Sequence, residues 1–282
     1  MTADTSPTAA TAQATAIAAI ASFYSERGEH ERLARGIGRL EAVRTIELLA
    51  RYLPAAPAVV YDLGGATGYY ARWLGERNYA VHLIDAVAAH VEAARRHCPQ
   101  LASATVGDAR RLPWTDRSAD AVLFMGPMYH LTERGDRIAA LAEARRVLRP
   151  GGVLFGVVIP RWASTLIGML RGWVYDNDYA AMVRQEILTG RHARPPSWPR
   201  LFMDGFFHST GDLDGEVAEA GFAMQCRLAI EGPAWMAQEF DLAWDDPPKR
   251  ERILELSRLA ERDDDIVAGS PHVAFVATAP ET

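Results

Sequence analysis

The chain has 282 residues, of which 49% are hydrophobic and 23% are charged, and its formal net charge at pH 7 is −6. This composition is typical of globular proteins and excludes a wholly disordered, collagen-like or coiled-coil chain; the length fits one large domain or two small ones. The two cysteines exclude a disulfide scaffold, and the acidic balance argues against a nucleic-acid partner.

Targeting features are absent from the sequence pattern. No apolar run approaches the roughly 18 residues of a membrane span, so no membrane partner is predicted. The first arginine is Arg27, and the preceding segment therefore lacks the basic region of a secretory signal. On these grounds we expect a cytoplasmic protein.

The N-terminal region is predicted to pass from a flexible tail into helix. Residues 1–16 are almost all Ala, Thr, Ser, Asp, Gln and Pro, a composition that buries too little surface to order itself. Apolar residues then recur at mostly helical spacing from Glu29 to Leu53. This spacing predicts one helix, which ends before Pro54 and Pro57.

Between residues 58 and 160, short β-branched segments alternate with helical ones. The predicted strands are 58–63, 81–85, 104–106, 120–125 and 153–159. The predicted helices are 69–76, 87–98 and 132–148. This alternation predicts an α/β fold with a Rossmann-like, mostly parallel sheet that is flanked by helices.

The regular pattern is interrupted after Pro160. Residues 161–210 contain three of the seven tryptophans and a Pro-rich stretch, and we interpret them as an inserted helical lid beside an apolar acceptor pocket. The pattern resumes over 211–282. The predicted segments there are a helix at 213–220, a strand at 221–230, a helical region at 232–265 with a second lid element near Trp235, and a last strand at 272–278. These strands bring the sheet to seven.

A glycine-rich turn follows the first predicted strand, with the sequence Asp62-Leu63-Gly64-Gly65-Ala66-Thr67-Gly68. Such a turn lets backbone N–H groups and a helix start approach a ligand closely. Its glycine spacing differs from the G-x-G-x-x-G of dinucleotide-binding folds. The carboxylate of Asp62 would repel a pyrophosphate but can bind an ammonium group, which favours a cationic ligand.

This turn resembles that of the class I S-adenosylmethionine-dependent methyltransferases, in which acid-x-Gly-x-Gly-x-Gly holds the methionine part of the cofactor. Asp62, Gly64 and Gly68 match that pattern, whereas Ala66 replaces the middle glycine and Gly65 stands beside it. The resemblance covers residues 58–160, the predicted cofactor-binding core, and extends more weakly over 211–278. It also implies that helices within residues 17–57 cover the cofactor.

Further motifs of the family follow in order along the chain. Asp85 ends the second strand, where the family binds the ribose hydroxyls, and Gly107-Asp108-Ala109 matches the adenine site. Asp85 could instead cap a helix, and Asp108 could simply form a turn. The resemblance assigns S-adenosylmethionine as cofactor and the following cofactor-binding residues: Tyr24, Asp62, Gly64, Gly65, Gly68, Asp85, Ala86, Asp108, Ala109 and Met125.

Two aromatic-histidine segments resemble a bacterial subgroup that methylates small molecules. They are Gly126-Pro127-Met128-Tyr129-His130-Leu131 and Phe206-Phe207-His208. The resemblance implies a small-molecule acceptor and makes His130, His208 and Tyr129 the catalytic candidates. A histidine can deprotonate a phenol or alcohol, so O-methylation is favoured, with N- or C-methylation open. The structural alternatives are a helix cap for His130, a core aromatic for Tyr129 and a packed lid residue for His208.

Two other functions remain as alternatives. One is a non-catalytic S-adenosylmethionine-binding protein, and the other is a nicotinamide-dependent oxidoreductase, against which the glycine spacing argues. The His, Asp and Glu residues do not fall at a recognisable ligand spacing, so no metal site is predicted. His272, at the start of the last strand, is expected to be structural. The pattern does not determine an oligomeric state.

Overall fold

The computed structural model describes residues 20–23 and 29–281, and all structural statements below concern those residues. The predicted tail at 1–16 lies outside them. The described part has these strands: β1 Val59–Leu63, β2 Ala80–Asp85, β3 Ser103–Val106, β4 Ala119–Phe124, β5 Leu148–Val158, β6 Arg191–His192, β7 Gly205–Phe206, β8 Ala223–Ala229 and β9 Val273–Thr278.

Seven of these strands form the main sheet, in the order β3-β2-β1-β4-β5-β9-β8. The strands β1 to β5 are parallel to one another, whereas β9 runs antiparallel to both β5 and β8. The strands β6 and β7 form a separate antiparallel pair. The predicted Rossmann-like, mostly parallel, seven-stranded sheet is therefore confirmed.

The helices of the described residues are α1 Glu29–Arg32, α2 Gly38–Tyr52, α3 Tyr69–Gly75, α4 Ala88–His97, α5 Pro127–His130, α6 Arg134–Val147, α7 Ala163–Arg171, α8 Asn177–Thr189, α9 Thr210–Glu219, α10 Phe240–Asp245, α11 Pro247–Ala260 and α12 Asp264–Val267. Short 3₁₀ segments lie at Trp173–Tyr175 and Gly232–Met236. None of these helices is both long and apolar enough to cross a membrane.

The sheet is buried on both faces, as expected for parallel strands in an α/β fold. On one face Phe124 packs with Leu141 of α6 and Val217 of α9. On the other face Leu83 packs with Leu48 of α2 and residues of α3 and α4. Because helices cover both faces, a ligand can reach this sheet only at its edges and ends.

The single helix predicted from Glu29 to Leu53 is wrong, because the structure breaks it between α1 and α2. Gly36 adopts a φ of +50°, in the left-handed region that glycine adopts without strain. A Cβ at Gly38 would collide with the carbonyl oxygen of Arg32. The chain therefore bends tightly here, and the apolar spacing continues through the bend.

The insertion at residues 161–210 contains α7, α8 and the β6–β7 pair. Its aromatic side chains pack on one another around Tyr179, which is fully buried. The ring centroids of Trp173 and Trp198 lie 5.7 and 5.0 Å from that of Tyr179. The aromatic density that suggested an acceptor pocket therefore forms a small core within the insertion.

Candidate active site

The ends of the strands bring polar residues from distant parts of the chain to one edge of the sheet. Asp62 and Asp85 lie at the carboxyl ends of β1 and β2, and Met125 follows β4. Because β9 is antiparallel, the residue before it, His272, lies at this same edge. Ligands of open α/β sheets bind outside the carboxyl ends of the strands.

A cavity of about 600 Å³ lies over this edge. That volume is typical of small-molecule and cofactor sites. The sequence-predicted residues that line it are Asp62, Gly64, Gly65, Asp85, Ala86, Asp108, Ala109, Met125, Tyr129 and His130. None of the described residues in the insertion at 161–210 lines it, which corrects the prediction that the insertion supplies the pocket wall.

The glycine turn has the tight backbone that its sequence predicts. Gly64 and Gly68 have φ values of +73° and +83°, and Ala66 also lies in the left-handed region at +46°. A Cβ at Gly65 would lie 2.5 Å from Oδ2 of Asp62, so the turn and the carboxylate approach each other closely. A side chain at position 65 would therefore collide with Asp62, whereas glycine at this position leaves both residues lining the cavity.

Asp62 is buried at the end of β1. Burial, and secondarily the charge of Asp85, raise the pKa of Asp62 to about 7. A cationic ligand group at this place would stabilise the carboxylate and lower its pKa again. The site is therefore electrostatically suited to an ammonium or sulfonium group.

Asp85 connects the glycine turn to the following helix. Its Oδ2 accepts a hydrogen bond of 2.9 Å from the backbone N–H of Ala66, and its Oδ1 accepts one of 2.8 Å from that of Val87. Nδ1 of His90 lies 3.2 Å from Oδ1. Each carboxylate oxygen has two lone pairs, so these bonds leave acceptor capacity for ligand hydroxyls.

Asp108 takes part in an ion-pair network that the sequence did not predict. The guanidinium of Arg110 donates to both oxygens of Asp108, and its Nη1 donates to Asp136 of α6 at 2.7 Å. Arg110 and Asp136 also line the cavity. Arg110 thereby joins the loop after β3 to the start of α6 at this end of the cavity.

Tyr129 and His130 lie in α5, directly after β4. The Tyr129 hydroxyl donates to the carbonyl oxygen of Met125. The ring of Phe202, from the insertion, lies 5.3 Å from that of His130. Burial lowers the pKa of His130 to about 4, although the charge of Asp85 opposes this shift, so the imidazole is neutral at pH 7.

Of the predicted site residues that the structure describes, His208 and Gly68 do not line the cavity. His208 is buried elsewhere, with Nε2 3.2 Å from Glu216, which itself pairs with Arg137; the prediction of a substrate contact for His208 is therefore corrected to a packing role. Gly68 faces Sγ of Cys98 and precedes α3. Tyr24 lies outside the described residues.

The structure also brings to the cavity a charged group that sequence reasoning missed. We call Arg32, Glu41, Glu231 and His272 the His272 cluster. Arg32 donates to both carboxylate oxygens of Glu41 at 2.5 and 2.9 Å, and Nδ1 of His272 lies 2.7 Å from Oε1 of Glu231. These residues are far apart in sequence, so no local motif signals them.

The pKa values within this cluster are strongly shifted. Burial opposes the charged form of His272, but the charges of Glu41 and Glu231 outweigh it and raise the pKa to about 9. Burial likewise opposes the charge of Glu41, while Arg32 and His272 lower its pKa to about 2. The cluster is therefore a set of paired charges at neutral pH.

The ligand atoms of Glu41, Glu231 and His272 lie within 4.8 Å of one another, a spacing that could also hold a metal ion. In the structure, however, the carboxylate of Glu41 accepts a hydrogen bond from Arg32. The carboxylate of Glu231 accepts hydrogen bonds from Ser270 and His272. The donor set is therefore satisfied by ion pairs and hydrogen bonds.

Known proteins share sequence similarity with the part of the chain that holds most of these residues. The model of a methyltransferase domain matches residues 60–152. An uncharacterized methyltransferase of Mycobacterium tuberculosis is 39% identical over 102 residues, which are 36% of this chain and 40% of that protein. A ubiquinone/menaquinone biosynthesis C-methyltransferase of a Caulobacter species is 35% identical over 116 residues, 36% of this chain and 44% of that protein. The chain spans less than half the length of these two relatives.

A solved structure shares the fold over nearly the whole chain. It is a methyltransferase of Thermotoga maritima, described as S-adenosylmethionine-dependent and as a possible histamine N-methyltransferase. The TM-score is 0.59 at 17% identity, and the match covers 92% of this chain and 99% of that one. Residues 60–152 therefore match a methyltransferase domain, in agreement with the resemblance of the glycine turn to the class I S-adenosylmethionine-dependent methyltransferases.

Proposed function

We propose that this protein transfers the methyl group of S-adenosylmethionine to a small-molecule acceptor. The proposal rests on one observation. Asp62, Asp85 and Asp108 line the same cavity as the glycine turn, at the carboxyl ends of the strands. The acidic cofactor end suits a ligand with an ammonium and a sulfonium group. The close backbone approach at Gly65 fits a cradle for such a ligand.

The chain offers a distinct group for each part of the cofactor. The turn from Gly64 would hold the methionine part, Asp85 the two ribose hydroxyls, and Asp108 with Ala109 the adenine. When bound, the cofactor supplies an electrophilic methyl group. The protein aligns the acceptor with that carbon and keeps water away, which are the main contributions available to an in-line displacement.

O-methylation is the reaction that we favour, with N- and C-methylation as open alternatives. His130 can take a proton at pH 7 because it is neutral there, and Tyr129 stands beside it as a lining phenol. A pKa of about 4 makes His130 a weak base, however, since efficient bases have pKa values near the working pH. His130 would therefore serve acceptors that are already acidic.

The first test is calorimetric titration of the purified full chain with S-adenosylmethionine, S-adenosylhomocysteine and NADH. We expect micromolar binding of the first two and none of NADH. Transfer of a labelled methyl group would then be assayed with phenols, carboxylic acids, amines and carbon acids. Binding of NADH alone would overturn the proposal in favour of an oxidoreductase, and cofactor binding without transfer to any acceptor would favour a non-catalytic binding protein.

A further inference from the structure

The cavity extends beyond the residues assigned to the cofactor. Asp108, Asp85, Gly64 and Met125 follow or end β3, β2, β1 and β4. The sheet continues in the order β5, β9 and β8, and Val157, Ile230 and His272 from those strands or their ends line the same cavity. The residues assigned to the cofactor thus lie at the ends of β3, β2, β1 and β4. The part of the cavity next to β5, β9 and β8 is left for a second ligand.

The His272 cluster is the polar feature of this second half. His272 precedes β9, Glu231 follows β8, and Arg32 and Glu41 come from α1 and α2. His272, Arg32 and Glu41 line the cavity, together with Thr45. The apolar side chains of Val157 and Ile230 line the same cavity. Apolar neighbours reduce the screening of an electrostatic contact by water.

The hydrogen-bond pattern determines which kind of group this end can bind. Both carboxylate oxygens of Glu41 accept from Arg32. Oε1 of Glu231 accepts from Nδ1 of His272, and Oε2 accepts from the Ser270 hydroxyl and from the backbone N–H of His272. The negative charges of both acids are therefore balanced by cations within the protein, and they attract a cationic acceptor less than unpaired carboxylates would.

His272 keeps one donor for the cavity. Its Nδ1 is bound to Glu231, and among the described residues its Nε2 has no hydrogen-bond partner. The side chain is 23% exposed and lines the cavity. The neighbouring carboxylates raise the pKa of His272 above neutral pH, so that both ring nitrogens carry protons.

We propose that the acceptor carries an anionic oxygen, as a carboxylate or a phenolate, and that this oxygen accepts a hydrogen bond from Nε2 of His272. The inference rests on the proposed function, since it concerns the second ligand of the same cavity. A charge-assisted hydrogen bond in a largely apolar site discriminates strongly between an anion and a neutral group of the same shape. Glu231 acts as the positioning residue that orients the imidazolium.

The experiment uses the full chain saturated with S-adenosylhomocysteine. Benzoate, 4-nitrophenolate and the neutral benzamide are titrated and followed by the ¹⁵N resonances of the histidine rings. We expect both anions to bind at least about tenfold more tightly than benzamide and to shift Nε2 of His272. If neither anion binds more tightly than benzamide, the inference is wrong.

Variants separate this role from the cofactor site. His272→Gln is compared with His97→Gln, a control at an exposed histidine of α4. We expect His272→Gln to weaken both anions about tenfold or more and to leave the affinity for S-adenosylhomocysteine unchanged. An equal loss of S-adenosylhomocysteine binding would overturn the inference, because His272 would then belong to the cofactor. If wild-type protein fails to bind S-adenosylhomocysteine at all, the proposed function itself fails.

A pH series gives a second readout should His272→Gln not fold. Besides Glu231, the charged groups that act on His272 are Glu41 and Arg32, and the phenol of Tyr70 interacts with both of these in turn. Benzoate affinity of the wild type should fall as the pH rises through about 9. In Glu231→Gln the fall should come at lower pH, because one stabilising carboxylate is gone. A benzoate affinity that stays constant across this range would contradict the inference.

Discussion

The three acids at the end of the cavity that we propose for the cofactor differ in what surrounds them. Asp62 is buried beside another carboxylate, Asp85 accepts two backbone hydrogen bonds, and Asp108 is paired with Arg110. Burial without a cation raises a carboxyl pKa, whereas donors hold the group ionised. A bound cation would therefore change Asp62 most, while Asp85 is already oriented by its two backbone donors.

Replacing Asp85 should weaken cofactor binding. We expect Asp85→Ala to lose about 1.5–3 kcal/mol, or roughly 10- to 150-fold in affinity, because charge-assisted hydrogen bonds are lost. Calorimetry with S-adenosylhomocysteine measures this loss, and Asp265→Ala, at an exposed position of α12, serves as the control. Equal affinities of the two variants would contradict the ribose assignment of Asp85.

The shifted pKa of His272 should make stability depend on pH. An unfolded histidine titrates near 6.5, and the folded pKa is about 9. Protonation therefore favours the folded state, and the contribution is fully present below about 6.5 and is lost as the pH rises through about 9.

Urea unfolding of wild type and His272→Gln over this pH window measures that contribution. The difference between their free energies of unfolding should shrink as the pH rises from about 6 to about 10. A difference that stays constant or grows would show that the imidazolium does not stabilise the fold.

At the scale of elements, a buried ion pair joins α6 to α9. Arg137 and Glu216 are both about 1% exposed, and Arg137 also donates to the carbonyl oxygens of Leu131 and Thr132 at 2.9 Å. Burial opposes the charge of Glu216, but His208 and Arg137 lower its pKa to about 2. His208 is thus part of the packing that holds the loop after α5 in place.

Breaking this pair should be costly because it leaves an unpaired buried guanidinium. We expect Glu216→Ala to lower the free energy of unfolding by about 3–5 kcal/mol. The matched control is Glu219→Ala, since Glu219 pairs with Arg134 between the same two helices but at the surface. Chemical denaturation should show little change for the control. Similar losses in both variants would contradict a special role for the buried pair.

At the scale of the whole molecule, the N-terminal helix that lines the cavity is held by the C-terminal part of the chain. Glu47 of α2 pairs with Arg258 of α11 at 2.7 Å, and Arg44 of α2 pairs with Glu261. Leu40 packs with Trp244 and Leu254. Helix α2, which carries Glu41, is thereby connected to the C-terminal part of the chain that contributes strands to the sheet. We therefore expect a ligand in the cavity to stabilise the chain as a whole.

Cofactor binding should therefore raise global stability. At a ligand concentration 100 times Kd, mass action adds about 2.7 kcal/mol to the free energy of unfolding. Thermal unfolding with and without S-adenosylhomocysteine measures this effect, and Asp85→Ala should show a smaller shift at the same concentration. If S-adenosylhomocysteine shifted only a minor transition at lower temperature, and not the main unfolding transition, the chain would not unfold as a single cooperative unit.

The sequence by itself determined the alternation of strands and helices, the glycine turn and the acids at the strand ends. These features depend on local spacing, because period-2 and period-3.6 patterns and turn residues act over a few neighbours. Asp62, Asp85 and Asp108 could be predicted together because the carboxyl ends of parallel strands meet at one edge. The break between α1 and α2 escaped prediction, since the close approach of Gly38 to Arg32 leaves the apolar spacing unchanged.

Only the tertiary structure decided which distant side chains meet. The antiparallel direction of β9 brings His272 to the ligand edge, and helix α2 adds Glu41 to it. The packing of α6 against α9 draws His208 to Glu216 and away from the cavity. Both meetings depend on strand direction or on the packing of separate helices, which local spacing does not encode.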